Sequence, residues 1–431
     1  MIKSGTTRRT FLKLSSMAAV TGPAMVFQDA GLVGRIERSI LWNPRQGGRT
    51  YFQPRACRIP GGPDPTVLMT CSPVTGDDVF WSLHWSESKD LGMTWSTPKP
   101  IPGLARRKHP RGAEEELICD AAPEYHARTG VVLVMGDNVY YAADGKTQTQ
   151  VEGHRWQVPV CLVRTADGEW LAPQKLDWDY PGASAMINCG NTQRVNLSNG
   201  DILMALSYAP VERYAHGPLG GLRVKGEDRA VCTVLCSFDG RKLEIRKRSD
   251  EFRLPVGRGF IEPSLSSFQN RFFITLRAED GHGYVSASSD GIHWKDQSAW
   301  CWDDGEPLTM STTQQRWLPH SDGLFLVYTR KAVENVNVAR WRAPLYMAQV
   351  DVQRLRLIRA TEQIVFPILG DGLGRPDEVA RMGNFSTAGI TPEVSLILVT
   401  EETSEREHWR GNTLIARIHW KQPNRLIQRG R

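Results

Sequence analysis

The stretch Ser88-Lys89-Asp90-Leu91-Gly92-Met93-Thr94-Trp95 decides the fold. A Ser hydroxyl and an Asp carboxylate two residues apart can satisfy the backbone of a tight hairpin between them. Gly92 supplies a positive-φ position. Trp95 is expected to pack the hairpin onto its own blade. A second copy reads Ser288-Ser289-Asp290-Gly291-Ile292-His293-Trp294. Weaker copies are Thr165-Ala166-Asp167-Gly168-Glu169-Trp170 and Ser237-Phe238-Asp239-Gly240, and Val350-Asp351-Val352 keeps only the Asp. A motif recurring at long intervals points to a repeat architecture.

Upstream of each hairpin lies a short apolar run. The six runs are Thr66–Met69, Gly130–Met135, Gly200–Met204, Arg271–Leu276, Gly323–Tyr328 and Val394–Val399. Measured from Val67 they recur at steps of 64, 71, 70, 52 and 71 residues. Runs of four to seven residues bounded by Gly, Pro, Asn and Asp read as strands, and no segment reads as a long amphipathic helix. The expected fold is all-β: a six-bladed β-propeller, closed radially as one domain over residues 35–425.

The 431 residues are 40% hydrophobic and 23% charged, a globular composition that excludes a disordered chain. No run approaches the length of a membrane span. Fourteen Trp and 39 Gly fit a turn-rich protein with aromatic carbohydrate contacts. The net charge is +6, but residues 1–28 hold Lys3, Arg8, Arg9 and Lys13 and no acid. The remaining Lys and Arg are scattered among Asp and Glu, with no basic stretch interleaved with aromatics, so nucleic acid is not an expected partner. The eight cysteines form no Cys-x-x-Cys and have no zinc-like His spacing. They read as small buried hydrophobes with room for one or two bridges. No metal and no cofactor is expected.

Residues 7–13, Thr-Arg-Arg-Thr-Phe-Leu-Lys, followed by a mildly apolar stretch, resemble the bacterial twin-arginine export signal. That resemblance implies a leader over 1–30 and export to the periplasm or beyond; the chain is expected to be a monomer. The Ser-x-Asp-x-Gly-x-Thr-Trp element resembles the Asp-box of sialidase-type propellers, over roughly residues 50–420. The resemblance implies a glycan substrate whose carboxylate is held by three arginines, because a planar guanidinium grips a carboxylate with two parallel hydrogen bonds. Cys57-Arg58-Ile59-Pro60 matches the motif that carries the first arginine. Glu262-Pro263-Ser264 followed by a strand ending in Arg277 matches the family's Glu and second arginine. Arg342 is the preferred third, with Arg340 a close alternative. Asp78 is the expected acid/base, with Asp77 the alternative.

Sialidases use a Tyr nucleophile in the last blade; here Phe385 stands at that place, in Arg381-Met382-Gly383-Asn384-Phe385-Ser386. Tyr284, Tyr328 and Tyr346 are other candidates, with nothing to choose among them. The expected function is an exported sialidase-like hydrolase of acidic sugars, with Asp78 and Glu262 catalytic and Arg58, Arg277 and Arg342 binding substrate. Two readings compete with it. One is a glycan-binding propeller without catalysis. The other is a lyase using Tyr214 or His216. Glu401-Glu402 could supply a channel carboxylate or a solvated face, and Asp120 serves turn geometry.

Overall fold

A computed structural model describes residues 31–61, 65–110, 112, 114–190, 192–210, 214–216, 222–224, 229–369, 379–403 and 408–428, with backbone only at 214–216 and 222–224. The proposed leader, residues 1–30, lies outside them.

The apolar runs are continuous because both of their faces are buried, as expected of strands sandwiched between two layers. All six are second strands of antiparallel sheets of four to six strands: Thr66–Pro73, Val131–Tyr141, Ile202–Ala209, Arg271–Arg277, Gly323–Tyr328 and Val394–Glu402. Alternate side chains of one strand then enter two different cores. Met204 and Leu206 pack with Leu133 and Met135 of blade two, whereas Leu203 and Ala205 pack with Ile274 and Leu276 of blade four. The same division repeats around the ring, with one apolar cluster between each pair of neighbouring blades. The result is a six-bladed β-propeller.

The first strands line the axis. They are Tyr51–Ile59, Glu115–His126, Met186–Asn188 with Val195–Asn196, Ile261–Phe268, Arg316–His320, and Arg381–Met382 with Ser386–Gly389. Blade six is completed from the other end of the chain. Val33–Trp42 pairs antiparallel with Thr413–Trp420, placing Ile36 opposite Ile418 and Ile40 opposite Leu414. This closing strand carries no repeat signal of its own, which is why the sequence pattern starts at the second strand of blade one.

The Ser-x-Asp turns connect third to fourth strands. Ser88 Oγ donates to Asp90 at 2.8 Å and accepts from Gly92 N at 2.8 Å. Asp90 also accepts from Thr94 N at 2.8 Å. Trp95, expected from sequence to pack onto its own blade, also reaches beyond it. It packs in a cluster with Leu396 and Leu398 of blade six. Trp294 likewise reaches blade three, donating to Thr233 Oγ1 at 3.0 Å. These turns therefore fasten one blade to the blade before it. All eight cysteines are free, so the expected bridges do not form; seven are buried and act as apolar fillers.

Gly92 has φ +85, and a Cβ there would lie 2.9 Å from Leu396 Cδ1. Gly92→Ala should therefore cost about 1–3 kcal/mol in urea unfolding, from left-handed strain plus the blade contact. Gly61→Ala, with open space around it, should be near neutral. Equal effects would contradict this blade-fastening role.

Candidate active site

Three axial strands carry the same irregularity. Register shifts fall between Phe52 and Arg55, between Cys119 and Ala122, and between Ile261 and Ser264. In each, one polar residue takes positive φ: Gln53 (56°), Asp120 (55°) and Glu262 (45°). A bulge re-aims the side chain next to it. Gln53 Oε1 accepts from Asp120 N at 3.2 Å, so neighbouring bulges touch. Asp78 (56°) and Arg340 (55°) are also left-handed. Strain of this kind in non-glycine residues, gathered in one region, is characteristic of functional sites.

Glu262 accepts from Arg277 Nη1 at 2.7 Å. Burial opposes its ionisation, but Arg277, Arg258 and Arg342 hold it below the usual carboxylate range. Arg277 is buried beside it. Arg342, also buried, pairs with Glu402 at 3.2 Å and donates to Asn384 Oδ1 at 3.1 Å. Arg381 binds Glu402 directly and lies 3.7 Å from Asp77. Arg340 is exposed and makes no hydrogen bond among the described residues; its charge is felt by Arg342, as are those of Arg277 and Arg381. Four guanidinium groups thus converge on one region.

Asp77, Asp78 and Glu402 line a pocket with Phe52, Gly76 and Trp409. Both aspartates are open to solvent on one side and crowded by protein on the others. Burial, then the charges of Asp78 and Glu402, push Asp77 up to about 6, and it hydrogen-bonds Glu402. Burial opposes ionisation of Glu402 too, yet Arg342 and Arg381 hold it down to about 2. Asp77 thus keeps its proton to higher pH than an ordinary aspartate, while Glu402 beside it stays ionised. Burial and the charges of Glu402 and Asp120 also raise Asp78. The Asp78 carboxyl has no hydrogen-bond partner among the described residues. Its backbone carbonyl, by contrast, accepts from Tyr141 Oη at 2.6 Å and Gln148 Nε2 at 3.3 Å. A fixed backbone thus presents a free carboxyl group of raised pKa.

Of the residues expected from sequence, Asp78, Glu262, Arg277 and Arg342 come together. Arg58 does not. It donates to the Gln428 carbonyl at 2.8 Å, near the far end of the same strand. Phe52, six residues earlier, lines the pocket; that spacing spans about 20 Å along a strand. The buried arginine of this strand is Arg55, bound to Asp120 at 2.9 Å. Phe385 is fully buried in the core between blades five and six, and Asn384 faces the arginines instead. Tyr284, Tyr328 and Tyr346 bond Asp280, Glu362 and Glu334. Tyr214 and His216 lie on a backbone hairpin whose side chains are outside the described residues. Sequence offered Glu401-Glu402 as a channel carboxylate or a solvated face, and Glu402 is the member that lines the pocket beside Asp77; Arg381 was not singled out, and Asp120 does more than shape a turn. The repeated pattern Phe-Gln-Pro at 52–54 and Ile-Glu-Pro at 261–263 is the signal that marks the bulges. Among the described residues, no cluster of His, Cys, Asp and Glu could hold a metal ion.

No protein-family model and no curated protein matches this sequence. Solved structures do match. A protein of unknown function from Dyadobacter fermentans aligns with a TM-score of 0.58 at 14% identity, over 90% of this chain and 99% of that one. Trypanosoma rangeli sialidase in complex with the inhibitor DANA aligns at 0.56 and 15%, over 90% of this chain and 60% of that one. A mutant of NanB sialidase from Streptococcus pneumoniae aligns at 0.54 and 11%, over 89% and 70%. This chain therefore has the sialidase-type propeller fold and spans about three-fifths of the Trypanosoma enzyme.

A carboxyl group whose pKa is higher folded than unfolded costs stability as pH rises through that interval. For Asp77 this runs from about 4 to about 6. Asp77→Asn should therefore raise Tm at pH 7 by roughly 1–3 °C, the partial exposure limiting the gain. The difference should vanish below pH 4 in calorimetry. A Tm gain that persists at pH 3 would show another cause.

Proposed function

We propose that this chain hydrolyses glycans bearing an acidic sugar of the sialic- or uronic-acid type. The observation that carries the proposal is the convergence of Arg277, Arg340, Arg342 and Arg381, with Glu262 and Glu402 as their ion-pair partners. Glu262 and Glu402 are the firmly ionised partners of Arg277, Arg342 and Arg381, which leaves exposed Arg340 with its donors free for a substrate anion. Asp78 is the proton donor to the leaving oxygen. Its raised pKa and unpartnered carboxyl suit that role. Glu262, held ionised by Arg277, is the base that activates water. Environments that push two carboxyl groups apart in this way assign acid and base. With Asn384 rather than Tyr facing the arginines, water is the attacking group, and hydrolysis inverts the anomeric centre. The turns at Ser88 and Ser288 act as Asp-boxes with a structural role. The twin-arginine stretch at 7–13 supports export to the periplasm or beyond.

Catalytic use of a protonated carboxyl requires activity to fall as pH rises through its pKa. The alkaline limb should therefore lie above that of an ordinary aspartate, because burial and the charges of Glu402 and Asp120 raise Asp78. The test is incubation with α-linked sialosides and with a panel of uronate-containing glycans. Free acidic sugar should appear, with the inverted anomer first in proton NMR. Asp78→Ala should lower kcat at least 100-fold. Arg277→Ala should lower kcat/KM by a similar factor, by removing a clamp and a partner of Glu262. An unsaturated product absorbing in the ultraviolet would instead show a lyase. Binding without turnover, weakened by Arg277→Ala, would show a glycan-binding propeller.

A further inference from the structure

Close to Glu262, the axial strands hold two further arginines that the hydrolytic reading does not use. Arg55 from blade one and Arg316 from blade five are each 2% exposed. Arg55 is the strongest charged neighbour of Arg316. Three carboxylates lie close by, and each already has its own cation. Asp120 is paired with Arg55, Glu124 with Arg194 at 3.3 Å, and Glu262 with Arg277. Arg316 makes no ion pair and no hydrogen bond among the described residues. Its Nε and Nη2 are buried without acceptors, and so are Nε and Nη1 of Arg55.

A buried guanidinium with no acceptor is costly, and two of like charge side by side are costlier still. A small anion accepting from both would satisfy the imbalance. We propose that Arg55 and Arg316, through their buried unpaired guanidinium nitrogens, form a binding site for a monovalent inorganic anion of about chloride's size. The near-complete burial of both residues excludes a sugar. The bridging ion neutralises one excess charge and ties blade one to blade five across the axis. It also fixes Arg55, and through Arg55 the Asp120 bulge next to the pocket. Burial and Arg55 depress Arg316 to about 9, in keeping with a cation that lacks its counter-ion.

The probe is halide. At constant ionic strength, replacing gluconate with chloride should raise Tm saturably by about 2–5 °C. Arg316→Gln should abolish the dependence on chloride. Crystals of the unmodified chain soaked in bromide should show one anomalous scatterer between the two guanidinium groups, a result that needs no variant to fold. Equal Tm values in chloride and gluconate, or water alone at that position in bromide-soaked crystals, would overturn the proposal. Neither readout depends on turnover, so loss of the hydrolase reading would leave this one standing.

Discussion

Closing six sheets into a ring forces the first strand of every blade against a common axis, and that crowding shapes the rest of the molecule. Polar groups brought there must find partners across blades. Gln193 shows how. Its side chain accepts from Trp317 N at 2.7 Å and from Ser264 Oγ at 2.8 Å, and donates to Thr387 Oγ1 at 3.1 Å. One amide thus joins blades four, five and six, with its own backbone in blade three. Closure itself rests on the antiparallel pairing of Val33–Trp42 with Thr413–Trp420. Without that strand, blade six would present an open edge.

The same crowding creates the candidate site. Straight axial strands would point alternate side chains along the channel walls. Bulges at Gln53, Asp120 and Glu262 turn polar side chains toward one end. Left-handed backbone there is paid for by hydrogen bonds such as Tyr141 Oη to the Asp78 carbonyl. Strong local fields follow. Asp77 is raised beside Glu402, which Arg342 and Arg381 keep ionised, and Arg277 keeps Glu262 ionised. The arrangement separates proton-holding from charge-holding carboxyls within a single pocket.

The fold was legible because burial on both faces imposes a run of apolar residues that recurs once per blade. The second strands and the Ser88 and Ser288 turns stand where the repeat puts them. The closing strand was not legible, since Val33–Trp42 alternates charge and apolar residues on an outer edge, with Ile40 exposed. Glu262, Arg277 and Arg342 were readable from local motifs adjoining strong strands. Arg58 was misplaced because residue spacing alone cannot reveal the register shift between Phe52 and Arg55. Phe385 was assigned to the channel by its place in the chain, yet its apolar ring belongs to the core, and Asn384 beside it faces the site. Glu402 was hidden in an acidic doublet whose other member, Glu401, is buried against Arg45 and the Asn412 amide.

The central claim is that the arginine cluster recognises the carboxylate of an acidic sugar. The most direct measurement is calorimetric titration of the intact chain with an acidic monosaccharide and with its methyl ester. Ester formation removes the negative charge and little else. The account predicts saturable binding of the free acid and at least a 100-fold loss for the ester, since the charged hydrogen bonds to several guanidinium groups disappear. Equal affinity for acid and ester would contradict it.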